Sequence, residues 1–200
     1  MEKRIITIGR EFGSGGHEIG MRLAQRLGVP FYDREIITMA AEKGGIDEKL
    51  IRENEERMPK TLVGRMSFAS LSYNPSFSDT IFLHQASALR QLAKDGPCVI
   101  VGRCADFVLR EENTVNVFIA ASMPYKIRRK RSMAPEKADY SDEQFRKYIA
   151  DVDDRRRAWY EHYTRQKWGH IENYHLCVHS DLVDVDGAVN TILAYLENIR

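Results

Sequence analysis

Short apolar runs alternate along the chain with stretches in which apolar residues recur at helical spacing. Residues 5–8, 98–101 and 115–120 predict strands, and the second run is continuously apolar, as in a strand buried on both faces of a parallel sheet. Shorter extended pieces are expected at 29–32 and 176–179. Because strands and helices alternate throughout, we expect an α/β protein whose parallel sheet is covered by helices on both faces.

Capping residues and turn formers set the expected ends of the helices. The first helix ends at Leu27, since Gly28 and Pro30 follow it. Asp33, Asp47 and Asp79 are in positions to begin later helices. The remaining predicted helices are, in chain order, 34–42, 47–57, 79–95, 124–132, 142–168 and 185–199. Residues 60–78 show no clear periodicity, which is typical of a mobile or partner-packed segment.

A glycine-rich loop stands between the first strand and the first helix. It runs Gly9-Arg10-Glu11-Phe12-Gly13-Ser14-Gly15-Gly16, with His17 and Glu18 directly after it. Glycines let the backbone approach an anion closely, and the N–H groups at a helix N-terminus converge on it. Residues 4–27 therefore predict a strand, a phosphate-binding loop and a helix, and residues 9, 10 and 13–18 are candidate nucleotide contacts.

The loop lacks two side chains of the usual P-loop pattern. That pattern ends in Gly-Lys followed by Ser or Thr, where lysine reaches the outer phosphates and the hydroxyl binds magnesium. Here Gly15 is followed by Gly16 and His17. Arg10 is a candidate source of the missing positive charge and Ser14 of the missing oxygen. A Rossmann domain is a less favoured alternative, because Asp33 follows only a two- or three-residue strand.

Composition and charge restrict the partners and the location. The chain is 43% hydrophobic with a formal charge of +1, which gives no whole-chain attraction to nucleic acid or membrane. The N-terminus has no apolar stretch that resembles a signal peptide, so we expect a cytoplasmic protein. Three cysteines without a CxxC pair and six histidines without metal spacing predict neither disulfides nor a metal site. The phosphate loop predicts a nucleotide as a partner.

Three stretches resemble the cytidylate kinase-like family, relatives of the nucleoside monophosphate kinases. They are ITIGREFGSGGHEIGMRLAQRLGVPFYDREII, VIVGRCADFVL and VDDRRRAWYEHYT, which occur in that order. The resemblance implies a P-loop kinase fold, three-layer α/β/α, with a parallel sheet of five strands. It also implies transfer of the terminal phosphoryl group of ATP, with magnesium held through phosphates and water, to CMP or a related monophosphate. The implied domain is 1–200, with a core at 1–35, 96–125 and 170–200, a monophosphate-binding insertion at 36–95 and a lid at 126–169.

The same resemblance suggests which side chains act. It places Arg103 and the lid arginines Arg128 and Arg131 on the phosphates of the reaction, in addition to Arg10, the candidate that the loop itself offers. The implied acceptor site consists of Asp33, Arg34, Arg103, Asp106, Asp154, Arg155 and Arg156. A guanidinium fork can hold two phosphate oxygens and align acceptor with donor, so these residue types suit phosphoryl transfer.

Other functions stay open at this point. Because Gly16 stands where lysine is expected, a nucleotide-binding sensor or regulator with altered catalysis is one alternative. A kinase for another small molecule is a second, because residues 60–78 do not fix the acceptor. A homodimer through the aromatic segment 68–82 is also conceivable.

Overall fold

The computed structural model describes residues 4–33, 35–54, 76–137 and 139–199. Within these ranges the strands are β1 (Ile5–Arg10), β2 (Phe31–Tyr32), β3 (Val99–Val101), β4 (Thr114–Ala120) and β5 (Leu176–His179). The helices in the same ranges are α1 (Gly16–Leu27), α2 (Glu35–Gly44), α3 (Glu48–Asn54), α4 (Phe77–Asp95), α5 (Ala105–Val108), α6 (Met123–Met133), α7 (Asp142–Thr164) and α8 (Ser180–Asn198). Short 3₁₀ turns stand at Pro135–Lys137 and Ile171–Asn173.

The five strands form one parallel sheet in the order β2-β3-β1-β4-β5. In its centre Ile8 of β1 is level with Val101 of β3 and with Val117 of β4. The expected parallel sheet of five strands with helices on both faces is confirmed. The strand order also differs from the 3-2-1-4-5-6 order of the Rossmann fold, which removes that alternative.

Apolar side chains fill both faces of the sheet. On one face Ile8 packs in a buried cluster with Leu23 of α1 and Ile192 of α8. On the other, Ile100 packs with Leu89 of α4 and with residues of α5. Each strand is short, so burial on both faces supplies much of its stability. Because the strands are parallel, β1, β2 and β3 all end at one edge of the sheet, where the loops carry polar residues.

Several helix boundaries differ from the predictions, among them those of α4, α7 and α8. Helix α4 begins at Phe77 because Ser76 is its cap. The Ser76 hydroxyl accepts from the Asp79 N–H, and the Asp79 carboxylate accepts from the Ser76 N–H, which is a capping box. Helix α7 stops at Thr164 because Arg165 adopts a left-handed conformation, with φ 61°. Helix α8 begins at Ser180, five residues early, and is interrupted at Asp184, with φ 55°.

Some predictions fall wholly or partly outside the described residues. Arg34 is one of them, and most of the segment 68–82 is another. Of the cysteines, Cys98 and Cys104 are buried and Cys177 is exposed. None of the helices in the described ranges combines the length and the apolar character that a membrane span requires.

Candidate functional site

The glycine loop presents its backbone to solvent at the start of α1. Gly13 and Gly15 have φ of 87° and 88°, a left-handed conformation that other residues adopt only with strain. Gly15 is the cap of α1 and offers no side-chain acceptor to the first helical N–H groups. Such groups, at the positive end of the helix dipole, bind anions.

Ser14 does not supply the oxygen that the sequence suggested. Its side chain is fully buried, and its hydroxyl donates to the carbonyl of Glu11 at 2.9 Å. The Ser14 carbonyl in turn accepts from the hydroxyl of Ser180 at 2.6 Å. The hydroxyl is therefore used for a bond within the loop, and the carbonyl joins the loop to Ser180 at the start of α8.

A cleft of about 700 Å³ opens in front of the loop. Its walls come from the loop, from the ends of β2 and β3, and from helices α6 and α7. Six cationic side chains line it: Arg10, Arg103, Arg129, Lys130, Arg155 and Arg156. The carboxylates that line it are Glu11, Glu18 and Asp33. With twice as many cations as carboxylates among its lining residues, the cleft suits a polyanion.

Arg10 leaves the end of β1 and lies across the floor of the cleft. Its Nη2 is 3.8 Å from Oδ1 of Asp33. A Cβ at Gly102, at the end of β3, would collide with Nη1 of Arg10 and lie 2.8 Å from its Cζ. The guanidinium thus rests flat on the backbone that follows β3, and only 14% of the side chain is exposed.

Arg103 is directed into the cleft by a strained turn. Gly102, Arg103 and Cys104 have φ of 77°, 60° and 54°, so three successive residues are left-handed and two of them are not glycine. Such strain persists only where the surrounding structure enforces it, and it concentrates at functional sites. Burial lowers the pKa of Arg103 to about 9, with Arg10 and Arg156 adding repulsion and Asp33 opposing it. An anion bound here would relieve that repulsion.

Asp33 lies among these cations at the end of β2. Its Oδ2 is 2.6 Å from Nδ1 of His17, the residue at the position of the usual P-loop hydroxyl. Burial by itself raises the pKa of Asp33, but Arg10, the His17 hydrogen bond and Arg103 outweigh it, so the pKa lies below its ordinary value. Asp33 therefore remains a carboxylate that orients Arg10 and His17.

The cations that helix α6 presents to the cleft are not the two arginines proposed from the sequence. Arg128 and Arg131 are exposed. Arg128 lies against the Tyr125 ring, and Arg131 donates to Asp142 at 2.7 Å. Arg129 and Lys130 line the cleft instead. Arg129 is paired with Glu18, and the Lys130 ammonium lies 3.9 Å from the ring centre of Phe12.

The rotation of α6 explains that difference. Lys126 and Ile127 are the buried residues of the helix, and Arg129 and Lys130, three and four positions after Lys126, share the face of that lysine. Spacing from the apolar Ile127 favours Lys130 and Arg131, so the sequence offered a signal for Lys130 but none for Arg129. The density of arginines alone does not distinguish the two faces.

Helix α7 contributes two neighbouring arginines. Arg155 and Arg156 line the cleft, and Arg156 Nη1 lies 3.5 Å from the carbonyl oxygen of Arg10. Asp154 is exposed and pairs with Arg157 one turn later, away from the cleft. The structure therefore brings Arg155 and Arg156 to the predicted acceptor site but not Asp154.

Asp106 lies behind Arg103 rather than in the main cleft. Its buried carboxylate accepts from the Tyr160 hydroxyl at 2.6 Å, and burial raises its pKa. The two residues, with Arg103 and Tyr174, line an adjoining cavity of about 40 Å³, space for little more than one water. In this arrangement Asp106 supports the turn that carries Arg103.

The carboxylates of the cleft are engaged with cations or histidine. Glu11 pairs with Lys126, Glu18 with Arg129, and Asp33 with His17. Within the described residues, no group of three or more histidine, cysteine or acidic side chains is arranged to hold a metal ion. Magnesium commonly keeps waters and is carried by substrate phosphates. The residues thus fit magnesium that arrives on a nucleotide better than magnesium held by the protein.

Comparisons with known proteins show which solved structures share this fold. A solved structure of an uncharacterized protein from Eubacterium ventriosum is 26% identical, with a TM-score of 0.72 over 98% of this chain and 99% of that one. Shikimate kinase from Bacteroides thetaiotaomicron is 17% identical, with a TM-score of 0.60 over 97% and 98% of the two chains. For shikimate kinase from Acinetobacter baumannii, in complex with shikimate, the identity is 15% and the TM-score 0.54, over 99% and 96%.

The two shikimate kinases share the fold of this chain, which is that of P-loop kinases. A comparison with curated proteins gave no match. A family model described as the cytidylate kinase-like family matches residues 5–182, most of the chain. On that match, this chain belongs to the cytidylate kinase-like family.

Proposed function

We propose that this protein transfers the terminal phosphoryl group of ATP to a nucleoside monophosphate, CMP or a close relative. The observation that carries the proposal is the convergence of Arg10 and Arg156 on Arg103 just beyond the phosphate loop, with the carboxylate of Asp33 beside Arg10 and Arg103. Three guanidinium groups against one carboxylate leave an excess of positive charge. A phosphate monoester dianion matches that excess, whereas a neutral alcohol does not.

The donor side of the proposal rests on the loop and on α6. The N-terminus of α1 and the left-handed glycines would hold the phosphates of ATP. Arg129 and Lys130 lie against the loop, Arg129 beside Gly15 and Lys130 over the Phe12 ring, where they would offset charge on the migrating group. Magnesium, bound to phosphates and water, would supply further neutralisation.

The reaction needs no nucleophilic side chain. An oxygen of the acceptor phosphate forms a bond to the terminal phosphorus of ATP, the bond from that phosphorus to the bridging oxygen breaks, and ADP leaves. An acceptor dianion already carries the lone pair, so no base has to remove a proton. The arginines position the two phosphates and reduce their repulsion, which is the main requirement of phosphoryl transfer.

The test is ATP consumption over a panel of nucleoside monophosphates, with protein free of contaminating kinases. We expect at least one monophosphate to be converted to the diphosphate and Arg103→Ala to abolish that turnover. Arg26→Ala, an exposed arginine in the last turn of α1, is the matched control and should keep wild-type activity.

Three outcomes would contradict the proposal. ATP binding without turnover on any acceptor would favour the sensor role, in which nucleotide binding to the cleft responds to nucleotide concentration. Turnover only with an acceptor that lacks phosphate would favour a kinase for a different small molecule. Absence of any nucleotide binding would overturn the phosphate-loop assignment itself.

A further inference from the structure

We propose that Arg10 and Gly16 are an exchanged pair, in which Arg10 on β1 has taken over the phosphate contact that a lysine at position 16 makes in the usual P-loop. The proposal rests on the proposed binding of ATP at this loop and adds a residue role within it. Its first support is steric. A Cβ placed on Gly16 would lie 2.5 Å from Cβ and 2.9 Å from Cγ of Arg10.

That collision involves atoms next to the backbone rather than the flexible end of a side chain. Residue 16 therefore cannot carry a lysine while residue 10 carries an arginine with its stem in this place. The position of the Arg10 side chain therefore requires glycine at residue 16. This steric requirement is separate from any flexibility that the glycine gives the loop. Residues 10 and 16 lie at the two ends of the loop. The Arg10 side chain occupies the space that a side chain at position 16 would need.

The second support is the position of the guanidinium. It is held between the ends of three strands: it leaves β1, rests on Gly102 after β3, and approaches Asp33 after β2. Gly102 is needed for that contact, because a Cβ there would collide with Nη1 of Arg10. Because the Arg10 guanidinium is already held in this position, it loses little conformational entropy when a phosphate binds.

The third support is the location of Arg10 in the cleft. Arg10 lines the large cleft together with Gly15 and Gly16 of the loop and with Arg103 and Arg156 of the acceptor side. Its side chain thus extends from the loop toward the acceptor arginines. We infer that it contacts the terminal phosphate of ATP, the group between donor and acceptor, and that its planar fork replaces the single charge of lysine.

The first experiment compares equilibrium binding of magnesium ATP and magnesium ADP, without acceptor, to wild type and Arg10→Met. Methionine keeps much of the volume beside Gly16 and removes the charge. We expect ATP affinity to fall about 10- to 100-fold and ADP affinity to fall much less, as for loss of a charged hydrogen bond to the terminal phosphate. Arg26→Met is the control and should bind both nucleotides as wild type does.

The second experiment reverses the exchange. Gly16→Lys alone should lower the melting temperature, because its side chain meets Arg10. The double variant Arg10→Gly with Gly16→Lys restores the usual pattern, and we expect it to regain both the melting temperature and the preference for ATP over ADP. If the double variant does not fold, the Arg10→Met comparison decides the question.

The outcomes separate this inference from the proposed function. If wild type binds ATP and Arg10→Met binds it equally well, or loses ATP and ADP to the same extent, the role of Arg10 is overturned while nucleotide binding stands. If wild type binds neither nucleotide, both are overturned.

Discussion

The ammonium group of Lys126 lies 2.7 Å from Oε2 of Glu11, so an ion pair of a buried lysine joins helix α6 to the phosphate loop. Lys126 also lies 3.3 Å from Asp153 of α7, whose other oxygen accepts from the N–H of Phe12 at 2.6 Å. One lysine thus connects two helices and the loop. The cations that α6 and α7 present to the cleft depend on that connection.

Lys126→Met should destabilise the protein strongly. It leaves Glu11 and Asp153 without their shared cation, and breaking a buried ion pair from one side costs about 3–5 kcal/mol. For a chain of this size, we expect the melting temperature to fall by about 6–20 °C, measured by thermal unfolding. Lys147→Met, an exposed lysine on α7, is the control. Equal melting temperatures for the two variants would contradict the buried connection.

Asp33→Asn should lower stability in a pH-dependent way. The pKa of Asp33 is lowered in the native protein, so its carboxylate contributes stability that is complete above the ordinary pKa of 3.8. That contribution is lost as pH falls through the native pKa. We expect a deficit of about 1.5–3 kcal/mol at pH 7, as for a hydrogen bond to a charged group.

The measurement for Asp33 is urea unfolding of wild type and variant from neutral pH down into the acid range. The gap between them should narrow as the wild-type carboxylate becomes protonated. A gap that stays constant over the whole range would mean that the carboxylate charge does not stabilise the fold.

Arg129→Ala should reduce turnover far more than Arg131→Ala. Arg129 lines the cleft, whereas Arg131 is exposed and bound to Asp142. Losing one cation that stabilises developing charge lowers kcat by about 10²–10³-fold in comparable sites. The check is steady-state kinetics on whichever monophosphate is active. A larger loss for Arg131→Ala would show that the helix turns its other face to the nucleotide during the reaction.

Tyr160→Phe should destabilise the turn that carries Arg103. The Tyr160 hydroxyl lies 2.6 Å from the buried carboxylate of Asp106, and without it that carboxylate loses a donor. Leaving a buried polar group unsatisfied costs about 1–3 kcal/mol. Thermal unfolding measures the loss, with Tyr195→Phe on α8 as the control. If the melting temperature of Tyr160→Phe equals that of the control, the bond to Asp106 contributes little.

Much of the fold was predictable from local patterns. The apolar runs at 98–101 and 115–120 became β3 and β4, and the glycine loop became the turn between β1 and α1. The helix boundaries were less predictable, because capping depends on single residues such as Ser76 and Arg165. Propensity and periodicity are properties of neighbours in sequence, so they identify elements more reliably than their ends.

The same distinction between local pattern and tertiary packing applies to the candidate site. The sequence by itself determined that a phosphate loop opens the chain, that its lysine is missing and that an arginine-rich helix follows β4. It could not determine which arginines of α6 face the cleft. That choice depends on the packing of Lys126 against Glu11 and Asp153, which are distant from each other along the chain.

Only the tertiary structure decided the roles of individual side chains in the loop. Ser14 turns inward because Ser180 binds its carbonyl, and Arg10 lies where it does because Gly16 and Gly102 leave room for it. The physical reason is that the direction of a long or polar side chain is set by steric exclusion and by partners brought together in folding. The sequence therefore determined the elements and the kind of chemistry, and the folded chain selected the atoms that face the substrate.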